Sequence, residues 1–461
     1  MKYVSTRGAA PVLDFADVLL AGLANDGGLY VPETWPALPP ITPGASYADA
    51  AMAVMWPYVE GSLDRATFEA IVRDTYTSFR HDAVCPLVQL DSNEWMLELF
   101  HGPTLAFKDV ALQLLGRLFD EVLTARNERL TIVGATSGDT GSAAIDAMAN
   151  RHNVDIVILY PYGRVSDVQR RQMTTVDAPN VHAVAVEGTF DDCQDLVKAM
   201  FADVAFRERM HLSAVNSINW ARVMAQIVYY VTSAVSLGAA PGREIAFTVP
   251  TGNFGNVLSG WIAKRMGLPV HSFVIGSNRN DILTRFLDSG VMAATGVEPS
   301  LSPSMDIQVS SNFERLLFEV NGRDGGLTAE QMHVFRSSGR LPVEAAEHEA
   351  ITTMFRGARV DDDATLAVIR DVHRRSGQLI DPHTAVGVGA AHARRGDRDV
   401  PMIVLSTAHP AKFPDAVERA TGMRPPLPEF LGDLFDRPER TGLVANDLAA
   451  VEAMVESLVA N

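Results

Sequence analysis

The chain has 461 residues, of which 47% are hydrophobic, and a formal net charge of −17 at pH 7. A chain of this length and composition can bury substantial cores and predicts roughly two or three domains. The acidic balance disfavours a broad electrostatic grip on nucleic acid or on an anionic membrane, so an anionic ligand must be held by a few placed groups. Cys85 and Cys193 form neither a CxxC pair nor a disulfide framework, which suits a reducing compartment and favours packing roles.

The N-terminal residues 1 to 22 lack the basic region, hydrophobic block and small-residue cleavage site of a secretory signal. No stretch approaches the roughly 20 apolar residues that span a bilayer. We therefore expect a cytoplasmic protein without a membrane or nucleic-acid partner, present as a monomer or a homodimer.

Hydrophobic periodicity divides the chain into three regions. Residues 1–85 predict a mainly helical N-terminal region, because apolar positions recur at the helical period from Tyr47 onward. Residues 86–425 predict an α/β region of crossover units on parallel sheets, because short β-rich runs alternate with helical ones. Residues 426–461 predict a surface connection followed by a closing amphipathic helix over 441–460. The runs that predict strands are LTIVGA (130–135), VDIVILY (154–160), VHAVAVEG (181–188), EIAFTVP (244–250) and PMIVLST (401–407).

Lys108 stands out within the segment HGPTLAFKD, residues 101–109. It follows a proline-containing turn and begins a helical pattern, and its neighbours Ala106 and Phe107 are apolar. Partial desolvation favours the neutral amine that attacks an aldehyde, so Lys108 is a candidate Schiff-base nucleophile and general base. The segment by itself is also compatible with a lysine whose stem covers apolar surface.

Two glycine-rich loops each follow a predicted strand and precede a predicted helix. The residues are Ser137, Gly138, Asp139 and Thr140 in the first loop, and Gly252, Asn253, Phe254, Gly255 and Asn256 in the second. Glycine and asparagine tolerate unusual dihedral angles, and free amides at a helix N-terminus favour a carboxylate or a phosphate. We predict an anion site at each loop, although each loop alone is also compatible with a capped turn. GATSGDTG lacks the full GxGxxG pattern, which makes a dinucleotide site the weaker interpretation.

Two further segments carry polar groups at the edges of predicted elements. In STAHPAKFP, the hydroxyl of Thr407 lies at a strand end, where it can hydrogen-bond a ring nitrogen without supplying a charge. His409 and Lys412 are candidates for anion binding or for a structural turn. In NSINWAR, Arg222 can reach a phosphate or form an internal salt bridge.

The segments HGPTLAFKD, GATSGDTGSAA, NSINWAR, PTGNFGN and STAHPAKFP, with STRG (5–8) and LAGLANDGGLYVPE (20–33), resemble the long-form threonine synthases of fungi and many bacteria. The resemblance covers nearly the whole chain. It implies the fold of pyridoxal 5'-phosphate (PLP) enzymes that resemble the tryptophan synthase β chain (fold type II), with two subdomains and the active site between them. It also implies that the chain converts O-phospho-L-homoserine and water into L-threonine and phosphate, by elimination of phosphate from Cγ and addition of water at Cβ.

The same resemblance assigns roles to the candidate residues. It implies that Lys108 carries PLP as a Schiff base and acts as the catalytic base. The loop 252–256 would hold the cofactor phosphate, and Thr407 would face the pyridine nitrogen. The loop 137–140 would receive the substrate carboxylate, and Arg222 and Lys412 would bind the substrate phosphate. No metal is expected.

Other functions stay open at the level of sequence. A phospho-lyase of the same fold would release α-ketobutyrate instead of threonine, and a non-catalytic protein would bind PLP without turnover. A serine or threonine dehydratase is a weaker alternative, because HGPTLAFKD and the N-terminal segments point away from it. A nucleotide-binding oxidoreductase is weaker still.

Overall fold

The computed structural model describes residues 1–459, which form two compact units. Unit 1 comprises Met1–Leu19, Leu23–His101 and Ser217–Pro425, and unit 2 comprises Leu20–Gly22, Gly102–Asn216 and the chain from Pro426 onward. The N-terminal region therefore shares unit 1 with a long later stretch of the chain, apart from three residues. Within residues 1–459, no helix combines the length and the hydropathy that crossing a bilayer requires.

Strands and helices alternate along most of the chain. The strands are β1 (Tyr3–Ser5), β2 (Tyr30–Pro32), β3 (Leu87–Asp91), β4 (Glu94–Glu98), β5 (Leu130–Ala135), β6 (Val154–Pro161), β7 (Val181–Glu187), β8 (Leu212–Ser213), β9 (Ile245–Pro250), β10 (Val270–Ser277), β11 (Met292–Ala293), β12 (Arg340–Leu341), β13 (Phe355–Arg359), β14 (Met402–Ser406) and β15 (Gly442–Ala445). The α-helices are α1 (Phe15–Ala21), α2 (Tyr47–Val59), α3 (Arg65–Thr77), α4 (Lys108–Arg126), α5 (Asp139–Met148), α6 (Asp167–Thr174), α7 (Phe190–Ala202), α8 (Val204–Arg209), α9 (Trp220–Ser236), α10 (Gly255–Met266), α11 (Ile282–Ser289), α12 (Phe313–Val320), α13 (Gly325–Ser338), α14 (Ala345–Thr352), α15 (Asp362–Ser376), α16 (Pro382–Arg394), α17 (Pro414–Thr421) and α18 (Leu448–Val459).

Unit 1 is built on a mainly parallel sheet in the strand order β13–β10–β9–β14–β4–β3, with β3 antiparallel to β4 at one edge. Every residue of β9 and β14 is buried, as expected for central strands with both faces covered. The strand order reverses at β9, because β10 and β13 lie on one side and β14 on the other. Ligands of open α/β sheets bind beyond the carboxyl ends of the strands at such a reversal. The second glycine-rich loop leaves β9 at this point.

Unit 2 is built on a parallel sheet in the order β15–β7–β6–β5–β8. Its core packs strand residues such as Val157 and Val184 against α7 and α18, which contribute Cys193, Met200 and Val455. The strand order reverses at β5, which lies between β6 and β8. The first glycine-rich loop therefore also leaves its sheet at a reversal of strand order.

The predicted α/β class with parallel sheets is confirmed, and each of the five apolar runs forms a strand. Two expectations for the C-terminal region need correction. The closing helix begins at Leu448, because Gly442–Ala445 instead forms β15 and pairs with β7. The stretch before it is more than a surface connection, because Leu431 and Leu434 are buried in a small apolar cluster. Ala460, at the end of the predicted helix, lies outside the described residues.

Both cysteines are buried, as their predicted packing roles require. Burial raises the pKa of the Cys193 thiol to about 12, and burial also raises the pKa of Cys85. A thiol that stays protonated is a poor nucleophile, so neither residue is suited to catalysis.

Candidate active site

Lys108 is the first residue of α4 and only 7% of its surface is exposed. The turn before it is held by Asp109, whose carboxylate accepts from the amide (2.8 Å) and the hydroxyl (2.6 Å) of Thr104. Gly102 has no room for a side chain, because a Cβ there would lie 2.5 Å from Cβ of Asp109. Leu105 takes a positive φ of 64° to complete the turn. The proline-containing turn thus fixes where the lysine enters the helix.

Two amides of the loop after β5 donate hydrogen bonds within the loop itself. Thr136 Oγ1 accepts from the N–H of Gly138 at 2.9 Å and from the N–H of Gly141 at 2.8 Å. Gly138 takes a φ of 138°, and a Cβ there would lie 2.4 Å from the side chain of Gln169. The capped turn that was the alternative interpretation of this loop is therefore present in part. Ser137 and Thr140 are half-buried beside it.

Asp139 connects this loop to the lysine. Gln169 donates from Nε2 to Oδ1 of Asp139 at 2.8 Å, which turns Oδ2 towards Lys108, 3.6 Å from Nζ. Both partners of the pair are buried. The predicted carboxylate-binding loop thus presents a carboxylate of its own to the candidate nucleophile.

The loop after β9 leaves its amides open. Phe254 lies in the left-handed region (φ 63°) just before α10, and its side chain caps no helical amide. The N–H groups of Asn253, Phe254 and Gly255 have no backbone acceptor among residues 1–459. A Cβ on Gly252 would lie 2.7 Å from the carbonyl oxygen of Ser304. Open amides at the start of a 12-residue helix form a cradle for an anion.

Asn256, in the first turn of α10, adds a buried donor to this cradle. Tyr229 and Tyr230 both donate their hydroxyls to its Oδ1, at 2.7 and 2.8 Å. Oδ1 of the amide therefore faces the two tyrosines. Nδ2 of Asn256 is consequently turned away from the tyrosines, and it is buried without a partner among the described residues. A buried unpaired donor of this kind calls for an acceptor.

Arg222 is a buried cation that lacks an acceptor. It is 3% exposed in the first turn of α9, and its Nε and Nη1 have no hydrogen-bond partner within residues 1–459. Burial lowers the pKa of its guanidinium to about 10, so the group remains charged at neutral pH. The internal salt bridge considered as its alternative role is absent from the described residues. α9 packs against α10, which carries the cradle.

Thr407 follows β14, the parallel neighbour of β9, so the loops after both strands leave the same edge of the sheet. The amide of Thr407 donates to the hydroxyl of Thr384 at 3.3 Å. That hydroxyl in turn donates to Asp381, a fully buried residue that caps α16. The backbone at Thr407 is therefore held by a buried polar chain from a neighbouring helix.

His409 is part of a structural turn. Its Nδ1 accepts from the amide of Ala411 at 3.1 Å. Burial, together with the nearby His101, lowers the pKa of His409 to about 4, so the ring is neutral near pH 7 and is a poor anion ligand. Lys412, the other candidate of this segment, lies three residues after His409 and is fully buried.

The predicted residues thus fall into two groups. Unit 2 contains Lys108 with the loop 137–140, and unit 1 contains the loop 252–256 with Arg222, Thr407 and Lys412. The sequence interpretation did not include the side chains that support these groups. They are Thr104, Asp109, Thr136 and Gln169 in unit 2, and Tyr229, Tyr230, Asp381 and Thr384 in unit 1. Thr104, Asp109 and Thr136 lie inside the quoted motifs, whereas the others carry no local signal of their role.

Comparison with protein families identifies the class of enzyme to which the chain belongs. Residues 83–408 match the model described as "Pyridoxal-phosphate dependent enzyme", which is most of the chain. Residues 2–76 match "Threonine synthase N terminus", and residues 384–455 match "Threonine synthase, C-terminal". The chain is thus a member of the PLP-dependent enzymes.

Individual relatives narrow the class. The chain is 56% identical to a threonine synthase of Pseudomonas aeruginosa, over 99% of this chain and 98% of that protein. It superposes on the PLP-bound threonine synthase of Brucella melitensis with a TM-score of 0.96 and 54% identity, over all of both chains. With a yeast threonine synthase the TM-score is 0.93 and the identity 40%, over 100% of this chain and 99% of that one. The chain belongs to the threonine synthase family, as its motifs predict.

The residues present fit PLP. The phosphate needs several aligned donors, which the open amides of the loop after β9 and Nδ2 of Asn256 supply. The aldehyde needs a buried amine, and Lys108 is one. The ring nitrogen is matched by an uncharged hydroxyl if Thr407 faces it.

Proposed function

We propose that this chain is a threonine synthase that converts O-phospho-L-homoserine and water into L-threonine and phosphate, and so acts as a carbon–oxygen lyase on a phosphate ester. We expect it to work in the cytoplasm as a monomer or a homodimer. The observation that carries the proposal is that unit 1 buries donors for anionic groups without acceptors of its own, on Arg222 and Asn256. An unpaired buried cation is costly to the folded protein, and a bound anion offsets that cost.

PLP, when bound, supplies an electron sink for charge that develops at the substrate's Cα. Lys108 would have two roles. It would hold the cofactor aldehyde and, once released, its Nζ would transfer protons to and from the substrate carbons. Asp139, fixed by Gln169, orients that amine.

Arg222 is proposed to bind the phosphate that leaves Cγ. Its guanidinium can form two parallel hydrogen bonds to phosphate, and burial strengthens them. A phosphate kept in place after elimination lies within reach of the water that adds at Cβ, where it can act as a base. The loop 137–140 is proposed to receive the substrate carboxylate. The amides of Gly138 and Gly141 are engaged with Thr136, so the remaining amides and the hydroxyls of Ser137 and Thr140 would form those contacts.

Product analysis tests this function. The purified, PLP-loaded protein is incubated with O-phospho-L-homoserine, and threonine, α-ketobutyrate and phosphate are measured in the same sample. We expect threonine and phosphate in equal amounts. Phosphate with α-ketobutyrate would instead identify a phospho-lyase, and absence of phosphate would favour a non-catalytic PLP-binding protein.

Two variants serve as controls for this measurement. Lys108→Ala removes the amine and should lower threonine formation by about 10³-fold or more. Lys198→Ala removes an exposed lysine paired with Asp195 on α7 and should leave the product ratio and rate unchanged. Loss of activity in both variants would point to damage unrelated to the proposed role.

A further inference from the structure

The segment Ser310–Arg315 contacts the carbonyl groups of the cradle, the loop after β9 with open amides. No sequence motif predicted a role for this segment. It lies within unit 1, about 58 residues after the loop that follows β9. Ser310, Asn312 and Arg315 are all buried. Their partners are main-chain carbonyls of the cradle and of the chain segments beside it.

Two of these contacts determine where the cradle amides point. Ser310 Oγ donates to the carbonyl of Gly252 at 2.7 Å. Asn312 donates to the carbonyl of Asn253 twice, from its amide at 3.1 Å and from Nδ2 at 3.0 Å. In a trans peptide the C=O and the following N–H point in opposite directions. Holding the carbonyls of Gly252 and Asn253 therefore directs the N–H groups of Asn253 and Phe254 to the other side of the loop.

Asn312 is itself fixed by a residue that joins three parts of the chain. Arg315 donates from Nη1 to Oδ1 of Asn312, which directs Nδ2 to two carbonyls, that of Asn253 in the cradle and that of Ser217, each at 3.0 Å. Arg315 also donates to the carbonyl of Tyr30 at 3.0 and 2.9 Å and to that of Ile218 at 2.7 Å. It is 1% exposed, and burial lowers its pKa to about 9.

The N-terminal family motifs hold the same segment. Arg7 forms a two-pronged ion pair with Glu314, with both distances at 2.9 Å. Thr6 donates its hydroxyl to the same carboxylate at 2.7 Å. STRG and GGLYVPE thus contribute Thr6, Arg7 and the carbonyl of Tyr30 to the anchoring of one short segment. This anchoring gives the two N-terminal motifs a physical connection to the cradle.

We propose that Asn312, held in place by Arg315, is a positioning residue that aims the amides of Asn253 and Phe254 at a phosphate monoester. The inference rests on the proposed function, in which that monoester is the phosphate of PLP. Asn312 acts through the loop and touches neither substrate nor cofactor.

The test compares PLP with pyridoxal, which has the same aldehyde and ring but no phosphate. Apoprotein is titrated with each compound, and the ratio of the two dissociation constants gives the preference for the phosphate. Asn312→Ala should lower that preference about tenfold and leave pyridoxal binding unchanged, because the lost Nδ2 bond to the carbonyl of Asn253 orients the cradle, whereas the other lost contacts, to the carbonyl of Ser217 and from Arg315, lie in the segments beside it. Asn321→Ala is the matched control, since its Nδ2 also makes two hydrogen bonds, to Thr328 at 3.0 Å and Gln331 at 2.8 Å, away from the cradle.

The outcomes separate this inference from the function on which it rests. If the wild type prefers PLP and Asn312→Ala keeps the full preference, the positioning role is wrong while the cofactor site stands. If the wild type itself shows no preference, the cradle does not bind the cofactor phosphate and the inference falls with that assignment, whereas threonine formation still reports separately on the activity. Ser310→Ala removes a single hydrogen bond and should lower the preference by about threefold, which keeps the test available if Asn312→Ala fails to fold.

Discussion

Two glycine-rich loops follow central strands at a reversal of strand order, one in each unit, and they use their backbone groups in opposite ways. In the loop after β5, the hydroxyl oxygen of Thr136 accepts hydrogen bonds from the amides of Gly138 and Gly141. That loop is a self-contained turn, and the group it presents is the carboxylate of Asp139.

In the loop after β9, two carbonyls accept hydrogen bonds from the segment Ser310–Arg315, and the amides of residues 253–255 have no backbone acceptor within residues 1–459. Ser310 and Asn312 accept none of the amide protons and instead donate to the carbonyls of Gly252 and Asn253. The same pattern of strand, glycine-rich loop and helix can therefore offer an anion different donors: side-chain hydroxyls and the remaining amides after β5, and a row of open main-chain amides after β9. A row of open amides results where neighbouring side chains bind the carbonyls and leave the amides for a ligand.

Lys108→Ala should have the largest effect and separates the contributions of the two units. Threonine formation should fall by about 10³-fold or more, because alanine supplies no amine in place of the one that pairs with Asp139. PLP should still bind weakly through the cradle, as the free aldehyde. The measurements are turnover and the absorbance spectrum after dialysis. Complete loss of PLP affinity would contradict an independent anion site in unit 1.

Arg222→Gln tests the unpaired donors of unit 1. It should lower kcat/KM by about 100-fold, mainly through KM, because in the proposed function the buried guanidinium, whose Nε and Nη1 have no partner within residues 1–459, forms charge-assisted bonds to the substrate phosphate. The free protein should melt at an equal or higher temperature, since an uncompensated buried charge has been removed. Arg129→Gln, at an exposed arginine paired with the partly buried Asp155, is the control and should change neither quantity appreciably. A lower Tm with unchanged KM would assign Arg222 a structural role instead.

Gly138→Ala tests the self-contained turn of unit 2. It should destabilise the protein by about 2 kcal/mol, because the position needs a positive φ and the new Cβ would meet Gln169 at 2.4 Å. Adding Gln169→Ala should recover only part of the lost melting temperature, since trimming the neighbour relieves the clash and leaves the backbone strain. Gly252→Ala has no such remedy, because its obstruction is the carbonyl oxygen of Ser304. Full recovery in the double variant would show that backbone strain contributes little at Gly138.

The turn after β14 extends the comparison to a third strand end and makes a smaller, pH-dependent prediction. The folded-state pKa of His409 is about 4, below its unfolded value of about 6.5, so the unfolded chain binds more protons between these pH values. The stabilisation is fully present above pH 6.5 and is lost as the pH falls towards 4, by about 2 to 3 kcal/mol.

His409→Asn keeps an acceptor for the amide of Ala411 and removes the titration. The fall in Tm between pH 6.5 and 4 should become shallower than in the wild type. His271→Asn, at an exposed position, should reproduce the wild-type slope. Equal slopes in all three proteins would show that His409 does not carry this dependence.

The sequence by itself determined the parallel α/β class, the five apolar strands and the placement of Lys108 at the start of α4. It also located both glycine-rich loops and the family motifs around them. These features depend on residues close together in the chain, where hydrophobic period and the conformational freedom of glycine act directly. The sequence did not predict the strand β15, because the hydrophobic periodicity of four residues is too short to distinguish a strand from the beginning of a helix.

The tertiary structure alone decided that the loop after β9 presents open amides on one side and held carbonyls on the other. The side chains that hold its carbonyls, Ser310 and Asn312, lie 58 and 59 residues away along the chain, whereas the amides of the loop after β5 are engaged locally by Thr136. The same is true of Arg222, because only folding shows that a buried guanidinium lacks an acceptor. A local pattern specifies which donors and acceptors a segment has, but their satisfaction depends on groups that folding brings from elsewhere.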